Sequence, residues 1–192
     1  MSEQLHVHKG GDQDQFMTTD DVENGCPQYY HAFVCYNPDG ADLRFVKDLV
    51  NKLESEPYNL KLCVPGRNDL PGGPTHTISA SLIKDRCRKM LIIMSPRYLQ
   101  SEICEFQTNF AASLSLRARS MRLVPCLIED CQIPNVLIPI GMCDYTRTNI
   151  LDWTWDRLVF SLMGSLDSTE WERSRSEPSL RLLPTFNQIN NS

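Results

Sequence analysis

The chain has 192 residues, of which 41% are hydrophobic and 22% charged, enough for one domain with a full core and too few for two. The formal charge of -5 sits mostly at one end: residues 1–27 carry -5, 28–166 carry +1 and 167–192 carry -1. A near-neutral body lacks the basic footprint of a nucleic-acid binder, and no window approaches the roughly 18 apolar residues of a membrane helix.

The opening MSEQLHVHKGG has no apolar stretch that would serve as a signal sequence, so a cytoplasmic location is expected. Eight cysteines at 26, 35, 63, 87, 104, 126, 131 and 143 form no CxxC pair, and none has a histidine at ligand spacing. They read as reduced, buried small hydrophobes rather than metal ligands or disulfides. No phosphate-cradling glycine motif and no recognisable Ser, His and Asp set is present, so the residues name no cofactor and no catalytic group.

In chain order, residues 1–27 hold few large apolar groups and read as a flexible acidic leader. YYHAFVCY, from Tyr29, is apolar on both faces and predicts a central parallel strand. NPDGAD then supplies a turn, and Leu43, Val46, Leu49, Val50 and Leu53 recur at helical spacing up to a stop near Pro57. Leu60 to Val64 predict a second strand. It breaks into GRNDLPGGP, where a guanidinium, a carboxylate and an apolar tip crowd into five residues, Arg67 to Pro71, more chemistry than a plain connection requires. Ile78, Leu82 and Ile83 predict a short helix closing on the basic cluster Lys84, Arg86, Arg88 and Lys89. MLIIMS, 90–95, predicts a third strand, Tyr98 to Leu114 a long helix, LVPCLI, 123–128, a fourth strand, and Ile140 to Cys143 a fifth. From Asp152 a last helix is expected to carry Trp153, Leu158 and Leu162 inward, with Trp155 as a further candidate. Residues 167–192 lack a period and read as a flexible tail, with Leu180, Leu182 and Leu183 available to dock.

Strands alternating with helices, each strand apolar on both faces, predict an α/β fold: a parallel sheet with helices on both sides. Functional loops in such sheets lie beyond the carboxyl ends of the strands, which is where the loop from Gly66 to Pro74 falls.

YHAFVCY (30–36), RNDLPG (67–72) and the tryptophans at 153 and 155 follow the order and approximate spacing of the three sequence boxes of the Toll/interleukin-1 receptor (TIR) domain family. LKLCV, SLIKDRCRKM, SPRYLQSEICEFQTNFAASLS, RLVP and CDYT strengthen the resemblance, which covers 28–166 and is densest to the cytosolic adaptors of the family. It implies a flavodoxin-like, three-layer fold with a five-stranded parallel sheet. It also implies an adaptor-type interaction module of innate immune signalling, binding TIR domains of Toll-like and interleukin-1 receptors or of other adaptors, with homo-oligomers or open assemblies as products. Three positions depart from the usual boxes: His31 replaces an aspartate, Asn68 replaces the aspartate after Arg67, and Thr154 precedes Trp155 in place of phenylalanine. Such an adaptor normally carries an N-terminal death domain, which 27 mostly polar residues cannot form. The resemblance therefore implies either a fragment or a short form, and an inhibitory decoy that uses the same docking chemistry is the alternative to an adaptor.

Under this resemblance Arg67, Asn68, Asp69, Leu70, Pro71 and Gly72 form the docking loop, with Leu70 and Pro71 as a preorganised apolar tip. Arg86, Arg88 and Lys89 are either a basic patch for an acidic face of a second TIR domain or the complement of a helix C-terminus. A further surface is expected on the helix starting near Tyr98. The competing class is enzymatic, since some TIR domains resemble NAD hydrolases with a glutamate three residues after a cysteine or its equivalent. Here that register runs from Cys104 to Gln107, an amide that cannot act as a carboxylate. Glu105 lies two residues away, about 200° around the helix. The expectation is a non-enzyme.

Overall fold

The computed structural model describes residues 16–118 and 122–163. Residues 1–15 and the expected tail, with Leu180, Leu182 and Leu183, lie outside the described residues.

Five strands form one parallel sheet in the order β2-β1-β3-β4-β5: β1 is Tyr30–Cys35, β2 Leu62–Cys63, β3 Cys87–Met94, β4 Leu123–Leu127 and β5 Cys143–Asp144. The α/β fold read from the alternation of periods is the one observed. The register pairs Phe33 with Cys63 on one side of β1 and with Met90 on the other, so the run read as a central strand is one.

Alternation along β1 and β3 builds two cores. Phe33, Cys35, Met90, Ile92 and Met94 meet Ile83, Tyr98, Cys104 and Ala111 on one face. Ala32, Val34, Leu91 and Ile93 meet Val46, Leu49 and Leu53 of α2 (Gly40–Glu54) and Leu158 and Leu162 of α5 (Leu151–Met163) on the other. Each fully buried aliphatic side chain stabilises the fold by about 1.5–3 kcal/mol. Six of the eight cysteines are buried and all eight are free thiols, as expected of small hydrophobes. No helix among the described residues is long and apolar enough to cross a membrane.

Four local expectations are corrected. Residues 16–24, assigned to the flexible leader, fold: Thr18 caps α1 (Thr19–Asn24) through a capping box with Asp21, and both are buried. The helix α3 (Thr75–Ser81) runs on as a π-helical turn, Leu82–Arg86, and β3 begins at Cys87, so Arg88 and Lys89 are strand residues rather than a helix terminus. The helix expected from Tyr98 is split: a 3-10 turn, Tyr98–Gln100, precedes α4 (Glu102–Ala118). Ser101 interrupts it by turning its hydroxyl to Cys104 N at 3.4 Å and its carbonyl to Glu105 N at 3.0 Å. Trp153 is not inward but 70% exposed, and Thr154 takes the buried position, 1% exposed.

Candidate protein-interaction site

The loop after β2 leaves the carboxyl edge of the sheet and is built around its own polar side chains. Val64 starts it: its carbonyl accepts from Arg67 N and Asn68 N, each at 3.0 Å. Asn68 returns the contact, its Oδ1 accepting from Val64 N at 2.9 Å. Gly66, at φ +80°, makes a turn that a side chain would strain, and its N–H is taken by Asp69 Oδ1. Tyr36, at the end of β1, donates its hydroxyl to Pro65 O at 2.9 Å. Pro71 and Gly72 are exposed and Leu70 is half-buried, and Gly72 at φ +101° sets the turn beyond the tip.

The structure brings Arg67 to Asp69 and Leu70 to Gly72 into one loop but divides their roles. The Arg67 guanidinium forks onto Glu54 Oε1 and Oε2 at 2.8 Å each and reaches Leu62 O at 2.6 Å. This Glu54 contact, more than any other, holds its pKa above the ordinary value. Asn68 is 4% exposed. Arg67, Asn68 and Asp69 therefore shape the loop, while Leu70, Pro71 and Gly72 present it. The other expected patch is turned largely inward. Arg86 and Lys89 are 7% and 6% exposed. The Arg86 guanidinium lies 5.5 Å from the Tyr29 ring, and its Nη1 is 3.9 Å from Asp21 Oδ1. Burial lowers the pKa of Lys89, helped by the charges of Arg88 and Arg122.

Beneath the loop lies a cavity of about 260 Å³, lined among others by Phe33, Tyr36, Asp69, Ile78, Ser79 and Gln107. Gln107 is buried and donates Nε2 to Ser79 Oγ at 3.0 Å. Glu105 is exposed and not part of the lining, in line with the helical reckoning. Among the described lining residues Asp69 is the carboxylate, and its Oδ1 is engaged by Gly66 N–H.

A sequence model of the TIR domain matches residues 32–159, a span holding most of β1, the loop, the Gln107 cavity and most of α5. The chain belongs to the TIR domain family. Its fold is similar to that of the TIR domain of the Toll-related receptor TRR-2 from Hydra magnipapillata, with a TM-score of 0.60 at 24% identity over 69% of this chain and 98% of that one. It is also similar to a metazoan TIR-STING receptor from C. gigas, with a TM-score of 0.52 at 27% identity over 67% of this chain and 41% of the receptor. A prokaryotic SEFIR domain shares the fold at 16% identity, with a TM-score of 0.50 over 71% of this chain and 99% of that one.

The TIR boxes at 30–36 and 67–72 did not disclose the residues that hold the loop. Glu54 is missing from any motif because it closes an amphipathic helix and looks like a solvated charge. Thr18, Asp20 and Asp21 fall in a stretch too poor in apolar groups to predict order, although Thr18 and Asp21 stand at capping-box spacing, the one signal that points to them.

Proposed function

We propose that this TIR domain is a non-catalytic interaction module that docks other TIR domains through the loop after β2. The observation that carries the reading is the division of labour in that loop. Its charged and amide groups are spent on internal bonds, leaving an exposed Pro71-Gly72 tip with Leu70 at its base on a preorganised backbone. A preorganised apolar tip loses little entropy on docking. Partners are TIR domains of Toll-like and interleukin-1 receptors and of their adaptors, in the cytoplasm. The resemblance of LKLCV, SLIKDRCRKM and CDYT to the myeloid differentiation adaptor of those receptors supports an adaptor role. The loop on one side and the α4 side of the domain on the other make a heterologous contact, which propagates into open assemblies. Individually weak contacts then gain strength from clustering.

Pro71→His tests this. Association with purified Toll-like and interleukin-1 receptor TIR domains is measured for both proteins; loss of binding with an unchanged melting curve is expected, and unchanged binding with intact folding overturns the docking role of the loop.

The cavity under the loop motivates the enzymatic alternative, NAD cleavage. The amide at 107 and the outward Glu105 weigh against it, and nicotinamide release from NAD at high concentration separates the two.

A further inference from the structure

Residues 16–24 lie across the docking loop as an antiparallel strap. Thr18 bridges Asp69, Thr19 N–H donates to Asn68 O at 2.8 Å, and Leu70 N–H donates to Met17 O at 3.1 Å. The strap is itself tightly held. Asp21 accepts from Met17 N at 2.9 Å, Thr18 N at 3.1 Å and Gln28 N at 2.6 Å. Tyr30 donates its hydroxyl toward Thr18 Oγ1 and Asp20 Oδ2, both at 3.0 Å. Thr18 and Asp21 are 0% and 1% exposed, and Asp21 is also the acid facing Arg86.

The loop's own bonds, to Val64 O and from Gly66 N–H to Asp69 Oδ1, hold it as far as Asp69. Past that point the tip is anchored through Leu70 N–H on Met17 O. The strap therefore controls the part of the loop that Leu70, Pro71 and Gly72 present. Asn68 also explains itself here. Its Oδ1 does what an aspartate oxygen would do for Val64 N and Arg67 Nε, at 2.9 and 3.0 Å. Its Nδ2 faces both oxygens of Asp20 at 3.4 Å. An aspartate at 68 would set one carboxylate against another, and like charges in a part-buried contact repel. The amide keeps the loop's internal bonds while accepting an acidic strap.

Resting on the docking reading above, we infer that residues 16–24 are a positioning element for TIR recognition, with Asp20 and Asn68 forming the complementary pair that seats the strap on the loop. Neither the strap nor Asp20 is required to touch the partner; they set the orientation of the Leu70-Pro71 tip.

The test uses the full chain with Asn68→Asp, Asp20→Ala, and the double variant Asn68→Asp/Asp20→Asn, which restores one amide against one carboxylate. Amide hydrogen exchange reads the loop: Leu70 reports the strap, while Arg67 and Asn68, bonded to Val64 O, are internal references. Affinity for a purified Toll-like receptor TIR domain is measured in parallel, alongside Pro71→His. Asn68→Asp is expected to speed exchange at Leu70 about tenfold with little change at Arg67, and to weaken binding about tenfold. Asp20→Ala, at a position partly open to solvent, acts in the same direction and keeps the test alive if Asn68→Asp does not fold. The double variant is expected to recover both readouts. If Pro71→His abolishes binding while the strap variants bind as the parent does, the strap inference is overturned and the docking reading stands. Unchanged Leu70 exchange, or a double variant that recovers neither readout, overturns it equally. If Pro71→His binds normally, the docking reading fails and the inference falls with it.

Discussion

Arg67 and Glu54 form a two-pronged pair, Nη1 to Oε2 and Nη2 to Oε1 at 2.8 Å each, that ties the loop after β2 to the last residue of α2. The planar fork of arginine suits a carboxylate and a lysine cannot reproduce it. Both side chains are partly exposed, at 39% and 28%, so solvent screening limits the pair. Glu54→Ala is expected to lower unfolding free energy by about 1 kcal/mol, read as a lower urea midpoint at constant slope. Arg67→Lys should fall in the same direction. A midpoint unmoved in both variants would mean that the pair adds no measurable stability to the fold.

His31 makes the fold acid-sensitive. The ring is 4% exposed on central strand β1, and its Nδ1 accepts from Lys61 N at 2.9 Å. Burial, the largest cause, lowers its pKa from 6.5 to about 4, and the charges of Arg88 and Lys61 push the same way. Between those values the unfolded chain binds the proton and the folded chain refuses it. Stability is therefore full above about pH 6.5 and declines as pH falls toward 4, a loss of about 3 kcal/mol from this group alone. His31→Asn places an amide oxygen where Nδ1 accepts and carries no proton-dependent charge. Denaturant titrations between pH 7 and pH 4 are expected to show a shallower decline for this variant than for the parent; parallel declines would remove His31 as the cause.

The sheet was legible in the sequence because burial on both faces writes continuous apolar runs, as at Tyr30–Cys35 and Met90–Met94. What escaped was written in single polar residues whose meaning depends on distant partners. Arg88 and Lys89 look like a helix end, yet β3 starts at Cys87. The chain 16–24 is too poor in large apolar groups to suggest order, and it is ordered by hydrogen bonds to a loop some 50 residues away in sequence. The location of the loop after β2 follows from the strand it leaves and its shape from Pro71 and Gly72. That Arg67, Asn68 and Asp69 bond inward required the positions of Glu54, Val64 and Gly66, which no local pattern supplies.

The two tryptophans of the last helix are expected to respond unequally to substitution. Trp155 stacks near Phe45 with centroids 6.2 Å apart and meets Tyr145 edge-on at 4.9 Å, while Lys52 Nζ lies 4.6 Å above its ring. Removing it strips an aromatic group that joins α2, the segment after β5 and α5. Trp155→Ala should cost about 2–3 kcal/mol, somewhat below a fully buried aromatic because the ring is partly solvated. Trp153, 70% exposed, should change stability by no more than about 0.5 kcal/mol on Trp153→Ala. Thermal melts of the two variants decide it, and equal losses would place Trp153 in the core.

Gln107 offers a test that joins stability to chemistry. Its side chain is buried in the cavity wall with Nε2 donating to Ser79 Oγ at 3.0 Å. Replacing the amide with a carboxylate removes that donor and buries a charge with no cation among the described cavity-lining residues. Gln107→Glu should therefore destabilise the fold by about 2 kcal/mol at neutral pH. Burial raises the pKa of such a group above its unfolded value, so the penalty should appear as pH rises through the ordinary glutamate range and fade below it. The parent protein is expected to release no nicotinamide from NAD above the rate of a protein-free control. Turnover by the parent that disappears in Gln107→Ala or Glu105→Ala would overturn the non-catalytic reading. Background rates in all three proteins, with the pH-dependent loss in Gln107→Glu, would instead support an amide at 107 that serves packing and hydrogen bonding rather than catalysis.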